Sequence, residues 1–389
     1  MMKSLFLTLG LCTTLFCSAQ TRRMNAPIIS PEVHPDQTVT FRYSAPNVTR
    51  VELAGDFLSQ NLPMTKNDKD VWEVTTQAIE PDVYGYNFVV NGSISVADPA
   101  NVEIIANEGF KRSMVELPGK TPQVYAMQNV PHGQVTYCFY ASKTLGHTRP
   151  LVVYTPAGYD PKGSVTYPVL YLLHGASDTH ETWYKVGRLN LIMDNLIAQG
   201  KAAKMIVVMP YANPNKRWGQ PSIAEAAEMA ERMKAAQTGA APGAPRSMGS
   251  NLFTKELLDD IIPYVEANYK VKANRDNRAI AGFSRGGGQT LAAGLGHPEV
   301  FGSVCGYSPA VGGLDESFKN IYAPIDQLKG LKYLSLSVGK SDFLYQSTVA
   351  LSERLTKEGV KHETLYTEGG HNWINCKRFI TNSVQVLFK

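Results

Sequence analysis

One serine of this chain lies in a sequence that could make it a nucleophile. Ser284 is the centre of Gly282–Gly286 and has a glycine at both ±2 positions. The apolar run Ala279–Ala281 before it predicts a strand, and Gly287–Ala293 after it predicts the start of a helix. A G-x-S-x-G sequence between a strand and a helix is typical of a nucleophile elbow, where only small residues fit at ±2. We therefore predict that the Ser284 hydroxyl projects above a sheet, beside a helix N-terminus.

A serine hydroxyl is a poor nucleophile until a base, commonly a histidine oriented by a carboxylate, takes its proton. In the α/β-hydrolase order the acid and then the histidine follow the serine. Three histidines follow Ser284: His297 lies after the elbow helix, His362 begins a predicted strand, and His371 lies in a glycine-flanked loop after that strand. Ligand sites lie at the carboxyl ends of such strands. His371 is therefore the predicted base, and a solvated loop histidine is the alternative.

The acid is expected in the loop after the preceding strand. Tyr333–Val338 predicts that strand, and Asp342 lies in the loop that follows it. Asp315 and Glu316 are the alternatives, but they follow the strand nearest the elbow and are more typical of a solvated turn. We predict that Asp342 holds the tautomer of His371 and stabilises the imidazolium.

The attacked carbonyl becomes an oxyanion, which two backbone N–H groups have to stabilise. Arg285, directly after the nucleophile, is the first predicted donor. The second is expected in the loop after the predicted strand Val169–Leu173, at Ala176 or Gly175, where a glycine lets the backbone approach the substrate. His174 in the same loop is predicted to be a structural hydrogen-bonding residue.

Three tryptophans, Trp183, Trp218 and Trp373, are candidates for an aromatic substrate pocket. Core packing is the open alternative for each, and Trp218 has the least core-like surroundings. No spacing of cysteines and histidines suggests a zinc site. Serine chemistry of this kind requires no metal and no cofactor.

Strand and helix patterns alternate along residues 130–389, which we assign to a catalytic domain. Apolar residues lie on one side of the helical segment Leu252–Tyr269. This alternation predicts an α/β sheet with helices on both faces. Residues 235–249, rich in Ala, Gly and Pro, are expected to form a mobile surface loop. Further predicted strands are Leu151–Tyr154, Met205–Met209, Arg278–Ala281, Ser303–Tyr307 and Glu363–Tyr366.

Residues 27–118 show a different pattern of short strands and turns without helical segments. Strands at this spacing predict a small β-sandwich domain. The predicted strands are Thr38–Tyr43, Val51–Gly55, Val71–Thr75 and Tyr84–Val90.

The first 19 residues are typical of a secretory signal peptide. Lys3 precedes the apolar stretch Leu5–Phe16, which is too short to span a bilayer with ease, and Cys17–Ala19 supplies small residues for cleavage. We expect export to the periplasm or outside the cell, with an uncleaved anchor as the alternative. No later segment of the sequence is apolar enough to cross a membrane.

The charge and the cysteine content do not indicate a nucleic-acid-binding protein or a disulfide-rich protein. Loss of Lys3 lowers the formal charge from +4 to +3, too little to indicate a nucleic-acid partner. The three remaining cysteines, Cys138, Cys305 and Cys376, do not form a disulfide framework in a chain of this size.

Four motifs along residues 130–389 resemble carbohydrate esterase family 1, which includes feruloyl and acetylxylan esterases. The resemblance implies an α/β-hydrolase fold with nucleophile Ser284, acid Asp342 and base His371, and it adds Gln289 to the predicted substrate-binding residues. Arg285 stands where many members have Met or a similar apolar residue. The motifs are Tyr171–Ser177 with Trp183, Gly282–Gly287 with Gln289, Val338–Asp342, and Gly369–Trp373.

The N-terminal region resembles a family 48 carbohydrate-binding module, an immunoglobulin-like sandwich. Such modules in esterases often pack against the catalytic domain and need not bind glycan. Trp72 and Tyr86 could form a sugar platform, and packing within the sandwich is the alternative. The resemblance is carried by Val51–Asp56, Met64, Val71-Trp72, Tyr84–Gly92 and Asp98-Pro99.

Together the resemblances imply a secreted serine carboxylesterase that hydrolyses feruloyl esters of plant cell-wall xylan. The implied substrate is feruloylated arabinoxylan or its oligosaccharides, and the oligomeric state stays open. An acetylxylan esterase and a siderophore trilactone esterase are alternatives, the latter because such enzymes also carry a sandwich before a related hydrolase domain. A non-catalytic glycan-binding protein is the alternative of another class, but it would be expected to have lost a triad residue.

Overall fold

The computed structural model describes residues 27–218, 250–311 and 323–389. The predicted signal peptide (1–19), the predicted loop 235–249 and the alternative acids Asp315 and Glu316 lie outside the described residues.

Ten short strands form two facing sheets in the N-terminal part. The first sheet has the order β1-β2-β6-β5, and the second has the order β4-β3-β7-β10-β9, with β8 paired to β7. Large apolar side chains of both sheets, among them Phe41, Leu53 and Phe88, form one buried core between them. The strands are Glu32–Val33 (β1), Val39–Ser44 (β2), Val51–Gly55 (β3), Leu62–Pro63 (β4), Thr65–Lys66 (β5), Val71–Thr75 (β6), Val83–Val90 (β7), Ile94–Val96 (β8), Ile104–Ala106 (β9) and Lys111–Glu116 (β10).

The two aromatic residues considered as a sugar platform belong to this core. Trp72 is 7% exposed and its indole N–H donates to the Ala45 carbonyl at 3.0 Å. Tyr86 is fully buried and its hydroxyl donates to Asp98 Oδ2 at 2.8 Å. Both residues therefore pack within the sandwich, and neither offers a ring face to a glycan.

Eight strands form the central sheet of the C-terminal part, in the order β11-β12-β14-β13-β15-β16-β17-β18. Strand β12 runs antiparallel to both neighbours, and the strands from β14 to β18 are mutually parallel. This is the α/β-hydrolase arrangement, and the carboxyl ends of its parallel strands meet at one edge of the sheet. The strands are Gln134–Ser142 (β11), His147–Thr155 (β12), Val169–Leu173 (β13), Ile206–Pro210 (β14), Arg278–Phe283 (β15), Ser303–Tyr307 (β16), Tyr333–Gly339 (β17) and Glu363–Thr367 (β18).

Helices cover both faces of this sheet, and each face has its own buried apolar cluster. The predicted helix Leu252–Tyr269 is interrupted by a π-helical turn, Leu257–Ile261, between two α-helical pieces. The described α-helices are Thr182–Lys185 (α1), Leu189–Ala198 (α2), Ser250–Glu256 (α3), Ile262–Asn268 (α4), Arg285–Gly296 (α5), Ile325–Leu328 (α6), Tyr345–Lys357 (α7) and Trp373–Val384 (α8). In the part of the chain that the structure describes, no helix is long and apolar enough to cross a bilayer.

The sandwich packs directly on the hydrolase part. Val83, Ile105 and Met114 of the sandwich share one buried cluster with residues of the hydrolase, including Val186. Beside this apolar contact, Lys377 of α8 forms a 2.8 Å ion pair with Asp82, and the lysine side chain is 2% exposed. The sandwich and the hydrolase part therefore share an interface from which water is excluded.

Candidate active site

Ser284 lies in a sharp turn between β15 and α5. Its backbone has φ 58° and ψ −117°, a conformation that a non-glycine residue adopts only under constraint. A Cβ on Gly282 would lie 2.4 Å from the Gly286 carbonyl oxygen, and one on Gly286 would lie 2.3 Å from the His174 carbonyl oxygen. Both ±2 positions therefore require glycine, and the turn is a nucleophile elbow in its geometry.

The loops after β17 and β18 bring a carboxylate and an imidazole together beside this turn. His371 Nδ1 donates to Asp342 Oδ2 at 2.8 Å, which leaves the other ring nitrogen able to accept a proton. The imidazole stacks on Phe283, the residue before the serine, with 4.4 Å between ring centroids. Among the described residues no hydrogen bond joins Ser284 Oγ to His371, and such bonds can tighten when substrate binds.

Asp342 is held in its charged form. Burial opposes ionisation, but hydrogen bonds from His371 and from the Leu344 backbone N–H, the latter at 2.8 Å, keep the pKa of Asp342 below its ordinary value. A carboxylate that stays ionised can orient the imidazole and stabilise its protonated form.

The loop after β13 passes directly beside the serine. A Cβ added to Gly175 would lie 3.5 Å from the Ser284 Cβ, so the Gly175 backbone is adjacent to the elbow. Both ring nitrogens of His174 are engaged: Nδ1 bonds the Gly175 carbonyl at 2.9 Å, and Nε2 accepts from the Ala212 N–H at 2.9 Å. Burial lowers the pKa of His174 well below its ordinary value. His174 is therefore a neutral structural residue, as the sequence predicts.

Arg285 begins α5 and directs its half-buried side chain to the loop after β13. Its Nη2 donates to the Gly175 carbonyl at 3.4 Å. The carboxylates of Glu108 and Asp178 are close enough to interact with the guanidinium electrostatically. The side chain thus supports the loop that contains the two alternative oxyanion donors.

Two of the predicted substrate-binding residues are core residues instead. Trp183 is 1% exposed, and its indole N–H donates to the Leu173 carbonyl at 3.0 Å. Gln289 is also 1% exposed, and its amide donates to the Ala212 carbonyl at 3.0 Å. Their placement in the interior contradicts a role in lining the pocket, because a substrate could not reach either side chain.

The other two tryptophans stay accessible. Trp218 is 37% exposed and packs edge-on against His180 and Tyr211, with ring centroids 4.6 and 5.4 Å apart. Trp373 follows the His371 loop at the start of α8, is half-buried, and lines a cavity of about 60 Å³ between the two domains. Both remain candidates for contact with a substrate.

Sequence reasoning missed two residues at this site, Asn107 and Glu108. They lie in the turn between β9 and β10 of the sandwich, where nothing in the sequence links them to the hydrolase. In the structure the Glu108 N–H donates to the Ser177 carbonyl at 2.7 Å, and Asn107 Nδ2 donates to Asp178 Oδ1 at 2.9 Å. The sandwich therefore contacts the loop beside the serine.

Comparison with known proteins agrees with this architecture. A family model described as a putative esterase matches residues 142–380, and one described as carbohydrate-binding module 48 (isoamylase N-terminal domain) matches residues 30–101. An endo-1,4-beta-xylanase/feruloyl esterase of Xylanibacter ruminicola is 30% identical over 369 residues, which cover 92% of this chain and 46% of the relative. The chain thus spans about half the length of that relative.

Solved structures show the same fold. The enterobactin esterase of Shigella flexneri superposes with a TM-score of 0.63 at 18% identity, covering 90% of this chain and 93% of the other. A carbohydrate esterase family 1 ferulic acid esterase of Anaeromyces mucronatus gives a TM-score of 0.56 at 24% identity, covering 69% of this chain and 96% of the other. The chain therefore belongs to the putative esterase family of carboxylic-ester hydrolases, with a module of carbohydrate-binding family 48 before its α/β-hydrolase fold.

Proposed function

We propose that this esterase acts through Ser284, His371 and Asp342 on feruloyl esters of plant cell-wall xylan. The observation that carries the proposal is the His371–Asp342 hydrogen bond beside a strained serine elbow. The substrate class is supported by the relative named as a xylanase/feruloyl esterase, which aligns with 92% of this chain.

In the proposed reaction Ser284 Oγ attacks the ester carbonyl carbon while its proton passes to His371 Nε2. The oxyanion accepts hydrogen bonds from the N–H of Arg285 and from that of Ala176 or Gly175. Collapse breaks the bond to the sugar oxygen, which takes the proton from His371 and leaves as the sugar hydroxyl. Water then attacks the acyl-enzyme, His371 takes its proton and returns it to Ser284, and the carboxylic acid is released.

We also propose where the polysaccharide lies. Tyr137 and Phe139 of β11 and Trp218 are 40%, 58% and 37% exposed. The Phe139 ring lies 5.1 Å from the Tyr137 ring, and the His180 ring lies 4.9 Å from Tyr137, 4.6 Å from Trp218 and 5.9 Å from Tyr211. Exposed aromatic faces of this kind suit sugar rings, so we assign this aromatic surface (Tyr137, Phe139, Trp218) to the xylan chain.

The experiment that tests the function compares three substrates in parallel: methyl ferulate, acetylated xylan and a cyclic catechol trilactone. We expect the highest kcat/KM on methyl ferulate, because a hydroxycinnamoyl ring removes much more apolar area from water than an acetyl methyl does, at ~25 cal/mol per Å². Equal or faster hydrolysis of acetylated xylan would favour an acetylxylan esterase. Fastest hydrolysis of the trilactone would favour the function named for the Shigella flexneri enzyme.

Replacing the nucleophile tests the mechanism for every substrate. Ser284→Ala should lower kcat by ~10⁴-fold or more with an unchanged melting temperature. His297→Ala, at an exposed histidine paired with Glu299, is the control and should keep full activity. Near-normal hydrolysis by a folded Ser284→Ala protein would remove this serine from the mechanism.

We further propose that residues 1–19 are removed during export and that residues 27–118 and 130–389 form the two domains. N-terminal sequencing of protein recovered from the periplasm or medium tests the cleavage site. Limited proteolysis tests whether cuts concentrate between residues 118 and 130.

A further inference from the structure

We infer that the sandwich supplies two positioning residues, Asn107 and Glu108, to the loop at residues 175–178, so that turnover itself depends on the N-terminal domain. The inference rests on the proposed function, because it concerns the loop assigned there to the oxyanion. Its basis is a continuous set of contacts that run from the β9–β10 turn to the backbone beside Ser284.

The first contacts are direct. The Glu108 N–H donates to the Ser177 carbonyl at 2.7 Å. Asn107 is itself fixed, since its Oδ1 accepts from the Gly109 N–H at 3.2 Å while its Nδ2 donates to Asp178 at 2.9 Å. Ser177 has φ 62°, which is unfavourable for a serine and persists only where the surroundings enforce it. The sandwich contributes one hydrogen bond to Ser177 itself and one to its neighbour Asp178.

The second set of contacts passes through the loop after β14. The side chain of Glu108 is 8% exposed, and its carboxylate accepts from Tyr211 Oη, from Asn213 Nδ2 at 3.1 Å and from Lys216 Nζ at 2.9 Å. The Tyr211 ring stacks on His174, with 5.7 Å between centroids and 22° between planes. Because His174 bonds the Gly175 carbonyl, Glu108 supports the loop from this side as well.

The loop after β14, which the Glu108 carboxylate contacts, is also held by Arg149 of the hydrolase. The buried guanidinium of Arg149 donates to the carbonyls of Tyr211, Asn213 and Lys216 at 2.5, 3.1 and 2.7 Å. Glu108 binds the side chains of the same three residues. Loss of Glu108 should therefore release these three side chains, while Arg149 keeps the backbone in place.

These contacts favour Ala176 over Gly175 as the second oxyanion donor. The Gly175 carbonyl is bonded by His174 Nδ1, by Arg285 Nη2 and by the Asp178 N–H at 3.4 Å. In a trans peptide the carbonyl and the following N–H point in opposite directions, so a fixed Gly175 carbonyl also fixes the direction of the Ala176 N–H. A donor aimed in advance is what stabilises the transition state, and small displacements of it are costly.

The test compares Glu108→Ala and Asn107→Ala with Glu116→Ala in the full chain. Glu116 is the matched control, because it also pairs across the domain interface, with Arg188 at 3.5 Å, but does not contact residues 175–178. On p-nitrophenyl acetate the two test variants should lose about 10- to 100-fold in kcat, less than the loss expected when a donor is removed outright. KM should stay within about twofold, and the pH profile of kcat/KM should keep its shape because His371 is untouched.

Further measurements distinguish a positioning role of Asn107 and Glu108 from a purely stabilising one. They also distinguish failure of this inference from failure of the proposed function. Glu108→Gln keeps an acceptor and should recover part of the lost kcat. Wild-type kcat in folded Glu108→Ala and Asn107→Ala proteins, whatever their melting temperatures, would overturn the inference. If the wild type hydrolyses no ester, the proposed function fails, and amide hydrogen exchange of residues 174–180 decides the inference: faster exchange in Glu108→Ala than in Glu116→Ala supports it, and equal exchange refutes it.

Discussion

At the scale of single residues, the site depends on groups held in states that they would not adopt alone. Ser284 has a backbone conformation that serine rarely takes. Asp342 stays charged despite burial, and His174 stays neutral because burial disfavours its charged form. Each of these states follows from particular neighbours, so each can be changed by a single substitution.

Asp342→Asn should lower kcat strongly, by ~10⁴-fold as for the acid of a serine triad, while KM stays near normal. The reason is that an amide cannot stabilise the His371 imidazolium or select its tautomer as the carboxylate does. Steady-state kinetics on methyl ferulate measure the effect. The matched change is Asp315→Asn, which should be nearly silent; an inactive Asp315→Asn beside an active Asp342→Asn would show that the acid is assigned wrongly.

Asp178 should make the protein less stable as the pH rises. Burial raises the pKa of Asp178 from 3.8 to about 7, so the folded state retains a proton that the unfolded state has lost. The free energy of unfolding therefore falls between about pH 4 and pH 7, by up to roughly 4 kcal/mol. Asp178→Asn keeps an acceptor for Asn107 and should be more stable than the wild type at pH 8.

Denaturant unfolding of the wild type and Asp178→Asn at pH 4 and pH 8 checks this prediction. The two proteins should differ little at pH 4, where the Asp178 carboxyl is protonated in the folded state and about half protonated in the unfolded state, and diverge at pH 8. A constant difference across this range would mean that Asp178 is not the titrating group.

At the scale of elements, the loops at the carboxyl ends of the strands hold the proposed catalytic residues, and the sequence predicts where these residues lie in the fold. Ser284, Asp342 and His371 each follow a recognisable strand, so local pattern and chain order bring them to one edge of the sheet. Trp183 and Gln289 could not be placed in this way, because composition does not tell which side chains face the interior. Strand β11 was not predicted, since it pairs at the edge of the sheet and most of its side chains are exposed.

The aromatic surface on β11 gives a prediction about the polymer. Phe139→Ala and Trp218→Ala should lower ferulate release from feruloylated arabinoxylan several-fold, because stacking on an aromatic ring contributes ~1 kcal/mol or more per contact. Hydrolysis of methyl ferulate by Phe139→Ala should not change, since the aromatic surface is proposed to bind the xylan chain, which the small ester lacks. Release of ferulate from polymer and methyl ester is measured side by side.

Val165→Ala is the control for this surface, because Val165 is 61% exposed and lies outside the aromatic cluster. Equal losses on polymer and methyl ferulate in Phe139→Ala would contradict a role in binding the polysaccharide.

At the scale of the whole molecule, the sandwich and the hydrolase are joined by a buried charge pair. Lys377 Nζ lies 2.8 Å from Asp82 and 5.0 Å from the centroid of the Tyr125 ring. Lys377→Met should cost about 3–5 kcal/mol in free energy of unfolding, because it leaves Asp82 buried without a counter-charge. The double variant Asp82→Asn/Lys377→Met should regain much of that loss.

Denaturant unfolding followed by two probes, near-ultraviolet circular dichroism and tryptophan fluorescence, measures both variants. We expect one transition in the wild type, because the two domains share an apolar core. A Lys377→Met protein as stable as the wild type would show that the ion pair is not significant for the interface.

The sequence could not predict the contacts between the two domains. The elbow motif and the strand ends are local patterns, whereas Asn107 and Glu108 acquire a role only when the sandwich packs on the hydrolase. If the module only packs on the hydrolase domain, as the resemblance allows, removal of the sandwich is expected to cost stability and solubility before catalytic specificity. The hydrogen bonds from Asn107 and Glu108 instead predict that a chain beginning near residue 125 loses turnover as well.

The β9–β10 turn also limits how this chain can be recombined. Chimeric enzymes are often built by exchanging a binding module for another at the linker, as if the modules were independent. Here an exchanged module would have to present an asparagine and a glutamate at the same place, or the recipient hydrolase would need a new support for residues 175–178. Grafting the four residues 107–110 onto a foreign sandwich of the same fold is therefore the smallest change that should preserve the turnover of the hydrolase.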